Sequence, residues 1–322
     1  CKLRPVKILF LTAGIAALFL ALSPLAAAAG PDPLFASDDV LELRLSAPIT
    51  TLMRERPDEE ELDGTVSFSD GSGQPVEVSV EIRTRGNYRR QKRICPFAPL
   101  RLDFRKSEVE DSLFHKQDKL KLVTHCRNAM QYEQAAMREY LVYRMFNELT
   151  DLSYKVRPLN ITYVDTDRDE RENTRFGFLI ESKRRFAART GWSEFDVETI
   201  DVARLEPGYA NLVAVFQYFA GNTDYSMIRG ADGEDCCHNT NPFLDGSAAM
   251  AVPYDFDMSG LVDASYATPN PRFELRSNRE RLYRGRCSHD GSLEDTLALF
   301  IERRDDLYAC LLYTSPSPRD SY

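Results

Sequence analysis

The strictest constraint lies in residues 75–85, where Val76, Val78, Val80 and Ile82 alternate with polar residues. A strand turns successive side chains to opposite faces, so these four share one face, and the segment belongs in a sheet with one dry side. Residues 40–45, 64–68, 99–104, 119–123, 157–164 and 176–181 also read as strands, with charged loops at 54–63 and 165–175. Residues 130–149 follow a different period. Ala135, Met137, Leu141, Tyr143, Met145, Phe146 and Leu149 form the apolar stripe of a helix. Several strands with one helix packed on them predict a small α+β unit.

Past Glu181 the strand signals thin. Helical stripes at 206–220 and 293–308 are joined by long loops. A strand-rich segment 37–182 followed by a helix-rich segment 183–309 predicts two lobes with a cleft between them.

Lys2, Arg4 and Lys7 precede an apolar run at 8–22 and the small residues Ala26–Ala29, the pattern of a secretory signal peptide over 1–29. The run is short against the about 20 apolar residues that a span needs, so cleavage is expected, leaving no stable membrane span and a periplasmic or secreted protein. Cys1 in place of an initiator Met suggests a reading frame that begins upstream, and residues 310–322 read as translated adapter sequence, an artefact tail. In an oxidising compartment the cysteines read as disulfides, Cys95 with Cys126 and Cys287 with Cys236 or Cys237. A zinc site on Cys236, Cys237, His238, Cys287 and His289 is the competing reading, but adjacent cysteines lack the usual ligand spacing. Lys and Arg number 41 against 50 Asp and Glu, a net charge of −9, which argues against a nucleic-acid partner.

The densest chemistry falls in 216–262. A helical run ends at Gly221 and delivers Asn222 and Asp224 onto a turn; a polar insertion carries Cys236, Cys237, His238 and Asn239; a short apolar strand then leads to Asp255 and Asp257. Spaced by two, these carboxylates would project from one face of a strand. Carboxylates and an amide gathered from two turns form a hard oxygen set suited to Mg²⁺ on phosphates. Phosphoryl transfer needs those parts together with cations over the phosphates. Arg85, Gly86 and Asn87 form a turn inside the basic run Arg83, Arg85, Arg89, Arg90, Lys92 and Arg93, while Lys119 and Lys121 share one strand face. The plainer alternative is a set of ordinary polar turns and a solvated hairpin tip.

In their order these segments resemble the CotH family, atypical bacterial kinases first associated with spore coats. The likeness runs from Glu77 to Leu261. It rests on the Arg85-Gly86-Asn87 turn and the strand ending Leu102-Asp103-Phe104, then on Lys119-Leu120-Lys121-Leu122 and the helical Arg138-Glu139-Tyr140. It continues through Phe176-Gly177-Phe178 to Glu181, Gly221-Asn222-Thr223-Asp224 and Pro253-Tyr254-Asp255-Phe256-Asp257. The resemblance implies a two-lobed protein-kinase-like fold, with an antiparallel-sheet N-lobe carrying one main helix and a mainly helical C-lobe. It implies ATP with Mg²⁺ (or Mn²⁺), and phosphoryl transfer to a protein or small-molecule hydroxyl. By the same resemblance Asp224 would be the catalytic carboxylate, Asp255 the metal ligand and Asp257 an alternative or second one. Lys119 or Lys121 would approach the phosphates, oriented by Glu139, and Glu181 would end the strand entering an adenine-holding hinge.

Two departures from the family pattern stand out. Tyr225 follows Asp224 where related kinases carry Arg or His, and Arg229 occupies the place of the metal-binding Asn. Asn239 fills that role only if the Cys-bearing insertion folds back. The runner-up is therefore a catalytically inactive, partner-binding protein of the cell envelope, and a metal-dependent hydrolase is a weaker third reading.

Overall fold

A computed structural model describes residues 32–231 and 234–312. The expected signal peptide and residues 313–322 of the expected tail lie outside the described residues. In chain order the elements are β1 (Leu41–Ala47), α1 (Ile49–Glu55), β2 (Leu62–Ser69), β3 (Pro75–Thr84), β4 (Leu100–Phe104), β5 (Lys119–Val123), α2 (Met130–Leu149), β6 (Val156–Asp165) and β7 (Arg171–Ile180). There follow α3 (Lys183–Thr190), β8 (Ser193–Glu194), α4 (Pro207–Ala220), β9 (Thr240–Asp245), β10 (Ala248–Pro253), α5 (Leu293–Glu302) and α6 (Arg304–Leu312).

The alternating segments become strands, but their sheet has no free edge. Strands β1-β2-β3-β4-β5-β7-β6 form a closed barrel, completed where β1 runs parallel to β6 from Leu41 beside Leu159 to Ala47 beside Asp165. The inward positions of β1, Leu41, Leu43, Leu45 and Ala47, are buried, and they join Val80, Ile82, Leu100, Leu102, Leu120, Leu122 and Ile161 in a core that fills the barrel. Closure removes the unpaired edge groups that an open sheet would present to water.

Strand β7 is buried on both faces. Leu179 joins the barrel interior, whereas Phe176, Phe178 and Ile180 face a second core shared with α2, α4, β9 and β10. There Tyr143 meets Phe178 and Phe256 with ring centroids 5.7 and 4.8 Å apart. Gly177 lies between the cores, and an added Cβ would sit 2.9 Å from the Val123 carbonyl oxygen.

These features correct the expected architecture. The chain does not form the two-lobed kinase-like fold: its first half is a closed barrel containing one parallel strand pair, not an open antiparallel sheet. The second half is not mainly helical either. It carries the three-stranded sheet β10-β9-β8, and residues 254–292 hold only turns, bends and two 3₁₀ turns. Local periodicity marks strands and helices but is silent on barrel closure, because the β1–β6 pairing joins residues more than a hundred positions apart. Smaller differences follow the same logic. Helix α1 begins just before the predicted 54–63 loop, β7 begins at Arg171 inside the predicted 165–175 loop, and the predicted 293–308 helix breaks at Arg303. Among the described residues no helix is long and apolar enough to cross a membrane.

Candidate phosphate and metal site

One cavity of about 760 Å³ gathers most of the candidate residues. It lies between the outer faces of β3, β4 and β5 on one side and the turns around residues 224, 238 and 255 on the other. Its lining includes Arg85, Gly86, Asn87, Lys119, Lys121, Asp224, Asn239, Asp255 and Asp257. The size is typical of small-molecule sites.

The organising group is Arg89, which sequence reasoning had left as one of several arginines in a basic run. Its guanidinium is buried among three carboxylates. Nη1 donates to Glu139 Oε2 at 2.9 Å, Nη2 to Asp255 Oδ1 at 2.6 Å, and Nε stands 3.1 Å from Asp257 Oδ2. The turn that carries it is held from both sides. Arg56 donates to the carbonyls of Arg90, Cys95 and Pro96, Arg127 to those of Arg93 and Ile94, and the Cys95–Cys126 disulfide ties its base to the segment after β5. Glu139 comes from mid-α2. One turn further along the same face, Tyr143 accepts the Asp255 backbone N–H at 2.8 Å. The expected strand carrying Asp255 and Asp257 is absent: β10 stops at Pro253 and Asp255 is left-handed at φ 58°. The two carboxylates converge because both reach Arg89.

One guanidinium cannot neutralise three buried carboxylates, and their acidities separate accordingly. Burial raises Asp257 to about 7 against the pull of Arg89, with Asp255 and Glu139 adding to the rise. Burial also raises Glu139, opposed by Arg89. At Asp255 burial acts upward too, but Arg89, Arg85 and Lys121 outweigh it and hold the carboxyl below its usual range. Asp255 is thus the member kept ionised. Its Oδ1 engages Arg89 while about a third of its side chain stays accessible.

The polar insertion does fold back. Asn239 Nδ2 donates to the Asp224 carbonyl at 2.7 Å and to Asp224 Oδ2 at 3.1 Å, and Tyr254 N–H donates to the Asn239 carbonyl at 3.0 Å. The turn begins at Gly221, left-handed at φ 67°, which caps α4; Asn222 Oδ1 then accepts the Asp224 N–H at 2.9 Å. A residue weighed at first only for zinc, His238, places Nε2 3.0 Å from Asp224 Oδ1. That hydrogen bond raises the imidazole above its ordinary value, with burial opposing. Adjacency to Asn239 was the one sequence signal for His238. Cys236 and Cys237 are bonded to each other, and Cys287 is a free exposed thiol, which corrects the expected pairing of Cys287.

The two strand lysines divide. Lys119 forms an exposed ion pair with Asp103 at 3.3 Å. Lys121 lies over the Tyr254 ring, 4.5 Å from its centroid, and among the described residues it forms no ion pair. Burial, aided by Arg85 and opposed by Asp255, brings it down to about 8. Neither lysine pairs with Glu139, whose partner is Arg89; that corrects the expected Lys–Glu pair. Arg85 resembles it: among the described residues it has no ion pair, and its buried Nε lacks a hydrogen-bond partner. Glu181 is not among the cavity-lining residues, although Ser182, Lys183 and Arg184 are; its carboxylate pairs with Arg189 through two bonds at 2.8 and 2.9 Å and tethers α3.

If a metal were held here, Asp255 and Asn239 would be the residues with an oxygen free for it, since Asp257 is engaged by Arg89 and Tyr266. Among the described residues no three His, Cys, Asp or Glu side chains gather as a metal cage. Two protein oxygens suit Mg²⁺, which keeps waters and substrate phosphates in its octahedron. No protein-family model matches this chain, and no curated protein matches it.

Proposed function

We propose that this chain is a phosphotransferase acting outside the cytoplasm, moving a phosphoryl group from a Mg²⁺-bound nucleoside triphosphate such as ATP to a hydroxyl acceptor. The supporting observation is that one cavity takes in the Asp224–Asn239 pair, the ionised Asp255 and two cations without acidic partners, Arg85 and Lys121. Unpaired cations in a partly desolvated wall favour phosphate oxygens. Asp255 and Asn239 would hold the metal, which when bound offsets charge on the phosphates. Asp224, fixed by Asn239 and His238, orients the attacking hydroxyl, and the Asp224–His238 pair receives its proton. This reading rests on the site and the sequence resemblance, not on a kinase-like architecture.

Incubation with γ-labelled ATP and Mg²⁺ tests it. Wild type transfers label, and Asp255→Asn reduces transfer ~100-fold or more, because the metal's anchor is lost. Equal transfer by the two proteins removes Asp255 from the chemistry. One observation favours the alternative of a protein that binds without transferring: Arg89 already occupies one oxygen of Asp255 at 2.6 Å. In that case a Mg²⁺-dependent thermal shift with ATP appears while label never moves.

A further inference from the structure

The outer face of the barrel carries its charges in two cross-strand rows. In one, Glu81 is opposite Asp103 and Asp103 opposite Lys119, with Lys119 and Asp103 paired at 3.3 Å. Two residues along, Arg83 is opposite Arg101 and Arg101 opposite Lys121. All three cations line the cavity. Arg83 has Glu61 at 3.3 Å, but among the described residues the Arg101 guanidinium makes no ion pair or hydrogen bond, and its charge helps depress its neighbour Lys121. Like charges directly opposite each other destabilise a sheet. Here they sit together on a wall with a half-buried, partnerless arginine at the centre, beside the equally free Arg85.

We propose that Arg101, flanked by Arg83 and Lys121, forms an anion subsite for a chain of phosphates, extending the site away from Asp255. Strands lie about 4.8 Å apart, so the row spans about 10 Å, longer than a single phosphate can bridge. The inference deepens the phosphotransfer reading by naming the ligand's chemistry, a polyphosphate. That polyphosphate is either the nucleotide's own chain or a separate anion on the acceptor side.

Titration calorimetry without metal, using inorganic triphosphate, inorganic phosphate and ATP on wild type, Arg101→Gln and Arg101→Lys, tests it. Triphosphate binds Arg101→Gln at least ~10-fold more weakly than wild type, the loss of one charge-assisted contact, and Arg101→Lys recovers most of it. Inorganic phosphate, too short to need the row, changes less than ~2-fold. An equal loss for ATP assigns the row to the nucleotide chain. Unchanged ATP affinity beside weakened triphosphate assigns it to a second anion. Triphosphate binding by Arg101→Gln that equals wild type overturns the proposal. As a control on folding, Arg101→Gln without ligand melts at the same or a higher temperature than wild type, since a like charge has been removed. A lower melting temperature would mean that Arg101 serves the fold and would overturn the proposal too. The measurement requires no turnover. Wild type that binds triphosphate but transfers nothing sinks the phosphotransfer reading alone, whereas normal transfer with an indifferent Arg101 sinks only the subsite.

Discussion

Two clusters of charge face the same cavity and are built in opposite ways. Around Arg89 the balance is internal: one buried cation meets three carboxylates, every guanidinium nitrogen is engaged, and the excess negative charge is relieved by raising Asp257 to about 7. Along Arg83, Arg101 and Lys121 the balance is left open, because three cations stand in register and, among the described residues, only Arg83 has an ion-pair partner, Glu61. The first arrangement is complete as it stands and positions Asp255. The second is stable enough to fold but lacks counter-charge, the condition expected of a surface that meets an anion. A site of this kind needs both: a fixed frame for the reacting groups and an unsatisfied wall for the ligand.

The sharpest way to break the contrast is Arg89→Met. If Arg89 is the frame, the variant strands the buried Glu139 and Asp257 and the half-buried Asp255, and loses about 3–5 kcal/mol in urea unfolding at pH 7. Part of the loss returns in mildly acidic buffer as those groups take up protons. A loss below ~1 kcal/mol would place this cluster with surface ion pairs and end the distinction.

The open wall is tested next by comparing its Lys121 with Lys119 of the neighbouring row. Lys121→Ala weakens triphosphate binding by roughly tenfold, the worth of a desolvated charge-assisted contact. Lys119→Ala, which removes an exposed ammonium already paired to Asp103, changes it by less than about twofold. Equal effects would show that the strand face acts as a diffuse basic surface with no shaped subsite.

The smallest expected effect concerns pH. His238 is raised by its bond to Asp224, so this pair contributes stability that is full below the ordinary histidine range and fades as pH climbs through the raised value. Proton acceptance runs the other way: neutral His238 is the competent form, and transfer rises over that same interval. His238→Gln flattens both trends. A transfer profile unchanged in His238→Gln would show that Asp224 works without it.

Much of the frame was legible in the chain. The alternation at Val76, Val78, Val80 and Ile82 marked both β3 and its buried face, and the stripe from Ala135 to Leu149 marked α2 with the bounds that the fold adopts. The order of Asp224, Asn239 and Asp255 drew attention to residues that the fold brings to one cavity. What could not be read was which groups meet. Arg89 differs in no local respect from Arg90 or Arg93, and only the return of its turn beneath Asp255 makes it the hub. Lys119 and Lys121 share a strand face, and only their neighbours Asp103 and Tyr254 separate them. Nothing local to Glu181 announced that Arg189 would engage both its oxygens.

By itself the sequence determined the barrel strands and α2, the faces they bury and the supply of carboxylates and cations, because those follow from side-chain spacing over a few residues. The tertiary structure decided the barrel's closure through β1 and β6, the gathering of three carboxylates on Arg89 and the alignment of Arg83, Arg101 and Lys121. Each depends on strand register and chain return over long separations, where packing of the whole core, not any local preference, selects the partner.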